Sequence, residues 1–226
     1  MTCILKRLAR ASSRKSFLAA AVMAFSLVPC YSQELFYITF DEPPQQRPGT
    51  SISVQQYSEF PLLFRPIGIV DPGNTFSLRR GGGGISFFPD NGTVYTAAAF
   101  TESLMFSFAD DYTDATTFNL LSVDLAEYST VVPNAVTVPF IGYRQDGSSV
   151  TAYFTTDGII DGTGPIPDFQ TFYFGPEFSG LTRVEVPTWG WSMDNLVIAI
   201  PEPSTGLLLV VGGLALWSVR KSRRRH

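Results

Sequence analysis

The sequence predicts an all-β body framed by two short ends of different character, and three observations carry that expectation. Between residues 33 and 200, short runs of β-branched and aromatic residues recur at close intervals, separated by Gly, Pro, Asn and Asp. Several runs alternate apolar and polar residues, the period of a strand with one buried face. No stretch of the body holds a helical period, whereas each end carries an apolar run beside basic residues. Many short strands at even spacing mean a sandwich or barrel, and about 168 residues suit a single domain of roughly ten to twelve strands.

Taken in order, residues 1–32 read as a secretory signal peptide. Lys6, Arg7, Arg10, Arg14 and Lys15 lead into an apolar run at 17–28 that is too short and too rich in small residues for a membrane span. Pro29 ends the helix, and Cys30 and Ser32 supply the small residues that a signal peptidase reads before cutting between Ser32 and Gln33. A lipidated Cys30 would want Gly, Ala or Ser where Pro29 stands, so ordinary cleavage is the better reading.

The body, 33–200, then offers strand runs at 35–40, 51–57, 62–70, 75–78, 85–88, 93–100, 103–108, 117–125, 135–143, 149–156, 171–174, 181–186 and 191–200. Arg144 to Gly147 and Asn91-Gly92 are turn sequences between such runs. A chain of this length buries a core without disulfides.

The last segment, 201–226, begins with Pro201, Glu202 and Pro203 and continues into an apolar run that ends at Val219. Counted from Ser204 it has 16 residues, which as a helix spans roughly 24 Å against a hydrocarbon core of about 30 Å. Trp217 sits where an interfacial ring belongs, and the cluster from Arg220 to Arg225 stays on the cytoplasmic side. The two prolines fix φ and lack N–H groups, so the joint resists joining the helix and stays extended.

Charge narrows the chemistry. Ten of the sixteen Lys and Arg lie in the two ends, leaving the body six, all Arg, against nineteen Asp and Glu, a formal charge of −13. The body also has no Cys, His or Lys. That excludes thiol nucleophiles, histidine bases, Schiff-base lysines and His- or Cys-ligated zinc. A surface so acidic repels a phosphate backbone, so no nucleic-acid partner is expected.

The order Pro201, Glu202, Pro203, short hydrophobic helix and arginine-rich terminus resembles the PEP-CTERM sorting signal of Gram-negative bacteria that make exopolysaccharide. The resemblance implies an exosortase-type membrane protease as partner, with the three residues as its sorting handle. It implies a protein exported by its signal peptide, held in the membrane at its C-terminus until processed, and then placed at the cell surface or in the extracellular matrix. More loosely, the body looks like the jelly-roll β-sandwiches common among these proteins, which are similar to carbohydrate-binding modules. That resemblance rests on Thr39 to Glu42, the hairpin through Val138 to Gly147, and Trp191 to Val197 near the end.

Within the body two sets of residues stand out. Asp41 near the first strand and Asp194 near the last become neighbours if the terminal strands pair. Two carboxylates with backbone carbonyls would hold a structural Ca²⁺, an oxygen-only site suited to this composition; the other reading is that both sit in turns. Trp189 and Trp191, with Tyr143, Tyr153 and Tyr173, would form a platform that stacks on sugar rings, or serve as ordinary sandwich residues. The Asp clusters at 110–114 and 157–161 lack the alternation of a calcium loop and read as solvated loops. Arg79-Arg80 before the glycines at 81–84 has no Lys-Ser/Thr after it and reads as a turn rather than a phosphate loop. No other cofactor is expected. The leading function is therefore a non-enzymatic surface or matrix protein associated with exopolysaccharide, the alternative a carbohydrate-binding module. A glycoside hydrolase acting through two carboxylates is the remaining enzymatic option.

Overall fold

Thirteen strands, all in antiparallel ladders, make up the computed structural model, which describes residues 33–41, 47–67, 75–81, 88–99, 102–109, 117–131, 134–160 and 168–201. The signal peptide with Ser32, and the segment from Glu202 onward with Pro203, lie outside these residues, as do the acidic cluster at 110–114 and most of the glycine run. Among the described residues no helix is long and apolar enough to cross a membrane.

The first sheet runs β11 (Gln170–Tyr173), β8 (Asn119–Glu127), β13 (Trp191–Pro201), β6 (Val94–Ala98), β5 (Phe76–Arg80) and β2 (Thr50–Val54). β1 (Gln33–Ile38) continues it beside β13: the first residues of β13 pair with β6, and those from Leu196 to Pro201 pair with β1. The second sheet runs β10 (Ser149–Thr155), β9 (Thr137–Arg144), β12 (Leu181–Val186), β7 (Leu104–Phe108), β4 (Leu62–Pro66) and β3 (Tyr57–Glu59).

The expected runs match these strands closely, and 181–186 has the same bounds. The run at 51–57 divides in two, and most of the run at 85–88 lies outside the described residues, so thirteen expected runs correspond to thirteen described strands. β2 belongs to the first sheet and β3 to the second, so the chain must cross between layers at Gln55 and Gln56, and one continuous strand cannot do that.

Alternate side chains of each strand meet between the sheets. Leu78, Val123, Met193 and Ile198 from the first sheet face Phe64, Phe106, Phe140 and Val184 from the second, all essentially without solvent contact. Each such side chain contributes roughly 1.5–3 kcal/mol by leaving water. Aromatic rings run through this layer, with Phe40–Phe64 centroids 5.1 Å apart and Phe64–Phe106 5.3 Å apart. A second group centres on Phe174, which lies 5.2 Å from Phe140 and 4.8 Å from Phe178. Gly142 on β9 exists for this packing: an added Cβ would come within 2.8 Å of the Leu181 side chain.

β13 carries two register breaks against β8, one between Asp194 and Val197 and one between Val197 and Ile198. The β13–β8 ladder breaks register between Asp194 and Val197, where Asn195 takes the left-handed φ of 46°, a bulge that turns its side chain outward. At the far end of β13, Pro201 stands opposite Gln33 in the β1 ladder.

Candidate functional site

Asp194 lies on the face of the first sheet that points away from the core, yet it has no solvent exposure. The turn at 90–93 covers it. Asn91 Oδ1 accepts from Thr93 N at 3.1 Å, and Gly92 supplies the φ of +83° that this turn needs. The turn then docks on the carboxylate. Thr93 Oγ1 donates to Asp194 Oδ2 at 3.0 Å, Asn91 Nδ2 donates to the same oxygen, and Asn195 N donates to Oδ1 at 2.7 Å. Asp41 Oδ1 accepts from Val94 N, one residue beyond, at 2.9 Å. Both carboxylates hold the same segment, Asp194 through Asn91 and Thr93 and Asp41 through Val94 N.

Burial pushes the Asp194 carboxyl up to about 7, opposed by the three donors and reinforced by the nearby negative charge of Asp41. The donor set bears on calcium. Both Asp194 oxygens and one Asp41 oxygen already face protein N–H or O–H groups, whereas Ca²⁺ takes six to eight oxygens. Among the described residues no three His, Cys, Asp or Glu side chains gather into a metal-holding group. As arranged, the pair is a clamp on a turn, and a cation would have to displace Asn91 and Thr93.

A second clamp went unread in the sequence. Glu59, buried on β3, accepts from Thr39 N at 2.8 Å through one oxygen, and from Phe40 N at 2.7 Å and Tyr57 Oη at 2.6 Å through the other. It satisfies two donors where Phe40 adopts a φ of 59°, so the first strand is tied to the second sheet just before Asp41. A third, Glu127, accepts from Gly158 N at 2.7 Å, which anchors the backbone of a turn whose Asp157 side chain is exposed.

The outer face of the first sheet divides into a covered half and an open half. In the covered half, Ala97, Ser192 and Ala126 form one row across β6, β13 and β8, small enough for Phe169 and Tyr95 to pack above them. Arg79 is buried here, its guanidinium 3.9 Å from the Tyr128 ring and 4.5 Å from Phe88. It is a cation held between rings, out of reach of a phosphate. In the open half, Thr171 Oγ1 donates to Asp124 Oδ1 at 2.6 Å and Asn195 Nδ2 donates to Asp124 Oδ2 at 2.8 Å, a polar strip across β11, β8 and β13.

The expected aromatic platform does not assemble. Trp191 is fully buried in the core with its indole N–H donating to Thr188 O at 2.8 Å; this corrects its assignment to sugar stacking, since neither ring face is open. Trp189 is 43% exposed in the loop before β13. Tyr143 carries Arg183 over its ring at 4.3 Å. Tyr153 is exposed on the second sheet, whereas Tyr173 is exposed on the first. The tyrosine that shares a face with Tyr173 is Tyr37 on β1, which the alternation at 35–38 could have flagged.

These features define an all-β domain of two antiparallel sheets, with buried carboxylate clamps and one half-open sheet face. No protein-family model matches the chain, and no curated protein matches it. Among solved structures the chain is similar to the family 11 carbohydrate-binding module of the cellulosomal cellulase Lic26A-Cel5E of Clostridium thermocellum. The identity is 10%, over 76% of this chain and 96% of that one, with a TM-score of 0.26.

Proposed function

We propose that the chain is a non-enzymatic protein exported to the cell surface or extracellular matrix, its jelly-roll-like body delivered there through the C-terminal segment by an exosortase-type protease. The observation that carries this reading is the ordered set of Pro201, Glu202 and Pro203, a short apolar run and an arginine cluster, behind a signal peptide. The position of Pro201 supports it. As the last residue of β13 it stands opposite Gln33, so the two proposed processing points adjoin one end of one ladder. Two of the buried acids support the non-enzymatic part, since both oxygens of Glu59 and of Asp194 are taken up by backbone and turn contacts. Glu202→Ala should leave the protein in the membrane fraction, unprocessed and slightly larger on a gel. Wild-type release and size for that variant would make the C-terminus an ordinary anchor.

A further inference from the structure

We propose that the open half of the first sheet's outer face binds a neutral polysaccharide chain, stacked on Tyr37 and Tyr173 and hydrogen-bonded along the Asp124–Asn195 strip in the row beside them. This rests on the reading of a body exported into a polysaccharide matrix and names the surface that would hold it there.

Register places the two rings. Tyr37 stands opposite Val197, Val197 opposite Ser122, and Ser122 opposite Tyr173, so the four residues form one row across β1, β13, β8 and β11. Paired residues of an antiparallel ladder point the same way, and three ladder steps of about 4.8 Å put the tyrosines roughly 14 Å apart. Their partners on the opposite face fill the core: Ile38, Ile198, Val123 and Phe172. Tyr37 is 63% exposed and Tyr173 75% exposed, in a row whose Val197 lies between the two register breaks of the β13–β8 ladder. Between them the row is low, only Val197 and Ser122, so a ligand can lie flat from one ring to the other. The separation fits a run of linked sugar rings better than a single monosaccharide.

The neighbouring row supplies polarity. Each Asp124 oxygen already takes one hydrogen bond, from Thr171 or from Asn195, which fixes the carboxylate while each oxygen keeps acceptor capacity. Asn195, turned outward by its left-handed backbone, offers its carboxamide beside the tyrosine row. A pyranose has a matching two-sided character, with an apolar C–H face for the ring and a hydroxyl rim for the strip. Such preorganised polar groups beside rigid aromatics lower the ordering cost of binding. Charge selects among polymers: with Asp124 on the surface and a body at −13 without lysine, a polyanion is repelled. A protein interface would bury Asp124 without a cationic partner on this face.

The test is native affinity electrophoresis of the full chain, extracted in a polyoxyethylene detergent free of sugar. The gels contain a neutral β-glucan, xylan, mannan or galactan, or the polyanion alginate. At least one neutral polymer should retard the wild-type protein. Tyr37→Ala and Tyr173→Ala should each weaken that binding roughly three- to tenfold. The paired Tyr37→Phe and Tyr173→Phe variant should keep it, and Tyr153→Ala, an equally open tyrosine on the other sheet, should leave it unchanged. Because all these positions are exposed, melting curves close to wild type should accompany every variant. Wild-type binding by both alanine variants would overturn the platform while leaving glycan binding elsewhere. No retardation by any neutral polymer, or retardation by alginate alone, would overturn it while leaving the export reading, which is judged by location, intact. A dimer abolished by Tyr37→Ala would instead make this face a contact between copies.

Discussion

Asp194 gives the sharpest test of the physical picture, because a fully buried carboxylate cannot keep its charge without cost. Its proton is released near pH 3.8 in the unfolded chain and near 7 in the folded one. Between those values the folded state holds a proton that the unfolded state has lost, so this group's contribution to stability is whole below about pH 4 and falls as pH rises through 7. At roughly 1.36 kcal/mol per pH unit the loss amounts to about 4 kcal/mol, or about 8–16 °C in Tm for a domain of this size. Asp194→Asn keeps the shape and removes the titration. The assay is thermal unfolding of both proteins at intervals from about pH 4.5 to 7.5, read as the difference between them so that shared carboxylates cancel. Wild type should lose ground to the variant steadily across that range. Parallel profiles would mean that Asp194 titrates normally, and the account of a desolvated clamp would be wrong.

Calcium makes a separate test: if it binds between Asp41 and Asp194, added Ca²⁺ should raise the wild-type Tm at neutral pH by mass action, and chelator should reverse this. Superimposable melts would leave the pair as a turn clamp alone. Glu59→Ala strands the buried Thr39 and Phe40 N–H groups and should cost about 2–6 kcal/mol, at about 1–3 kcal/mol per orphaned group; denaturant titration measures it, and a loss below 1 kcal/mol would contradict the clamp. Gly158→Ala should lower stability by at least about 1–2 kcal/mol, because its φ is +83° and a Cβ would meet Ala135 N at 2.9 Å. An unchanged midpoint would show that the turn relaxes freely.

Strands were legible because each is a short apolar-rich run closed by turn residues, several of them alternating. The hairpin at 144–147 shows why: Gly147 takes φ +83° and Asp146 accepts from Ser148 N at 2.9 Å, both local effects written in four residues. The pairing of the first strand with the last was legible for a different reason, since the ends of a sandwich tend to meet. What escaped notice depends on distant contacts. Glu59 looked like any strand-edge carboxylate until β3 was set beside Thr39 and Phe40. Trp191 and Trp189 are two residues apart, and the strand's start at Trp191 decides that one fills the core while the other, in the loop before it, stays partly open. Tyr37 and Tyr173 are separated by most of the body, and three ladders bring them into one row.

The intact mass and terminal sequence of the protein recovered from the cell surface or matrix bear most directly on the central claim. The expected product starts at Gln33 and lacks the cluster from Arg220 to Arg225, with its C-terminus near Pro201 to Pro203. Recovery of a chain that still begins at Met1, or that carries His226 at its end and resides in the membrane, would contradict export and sorting through the C-terminal segment.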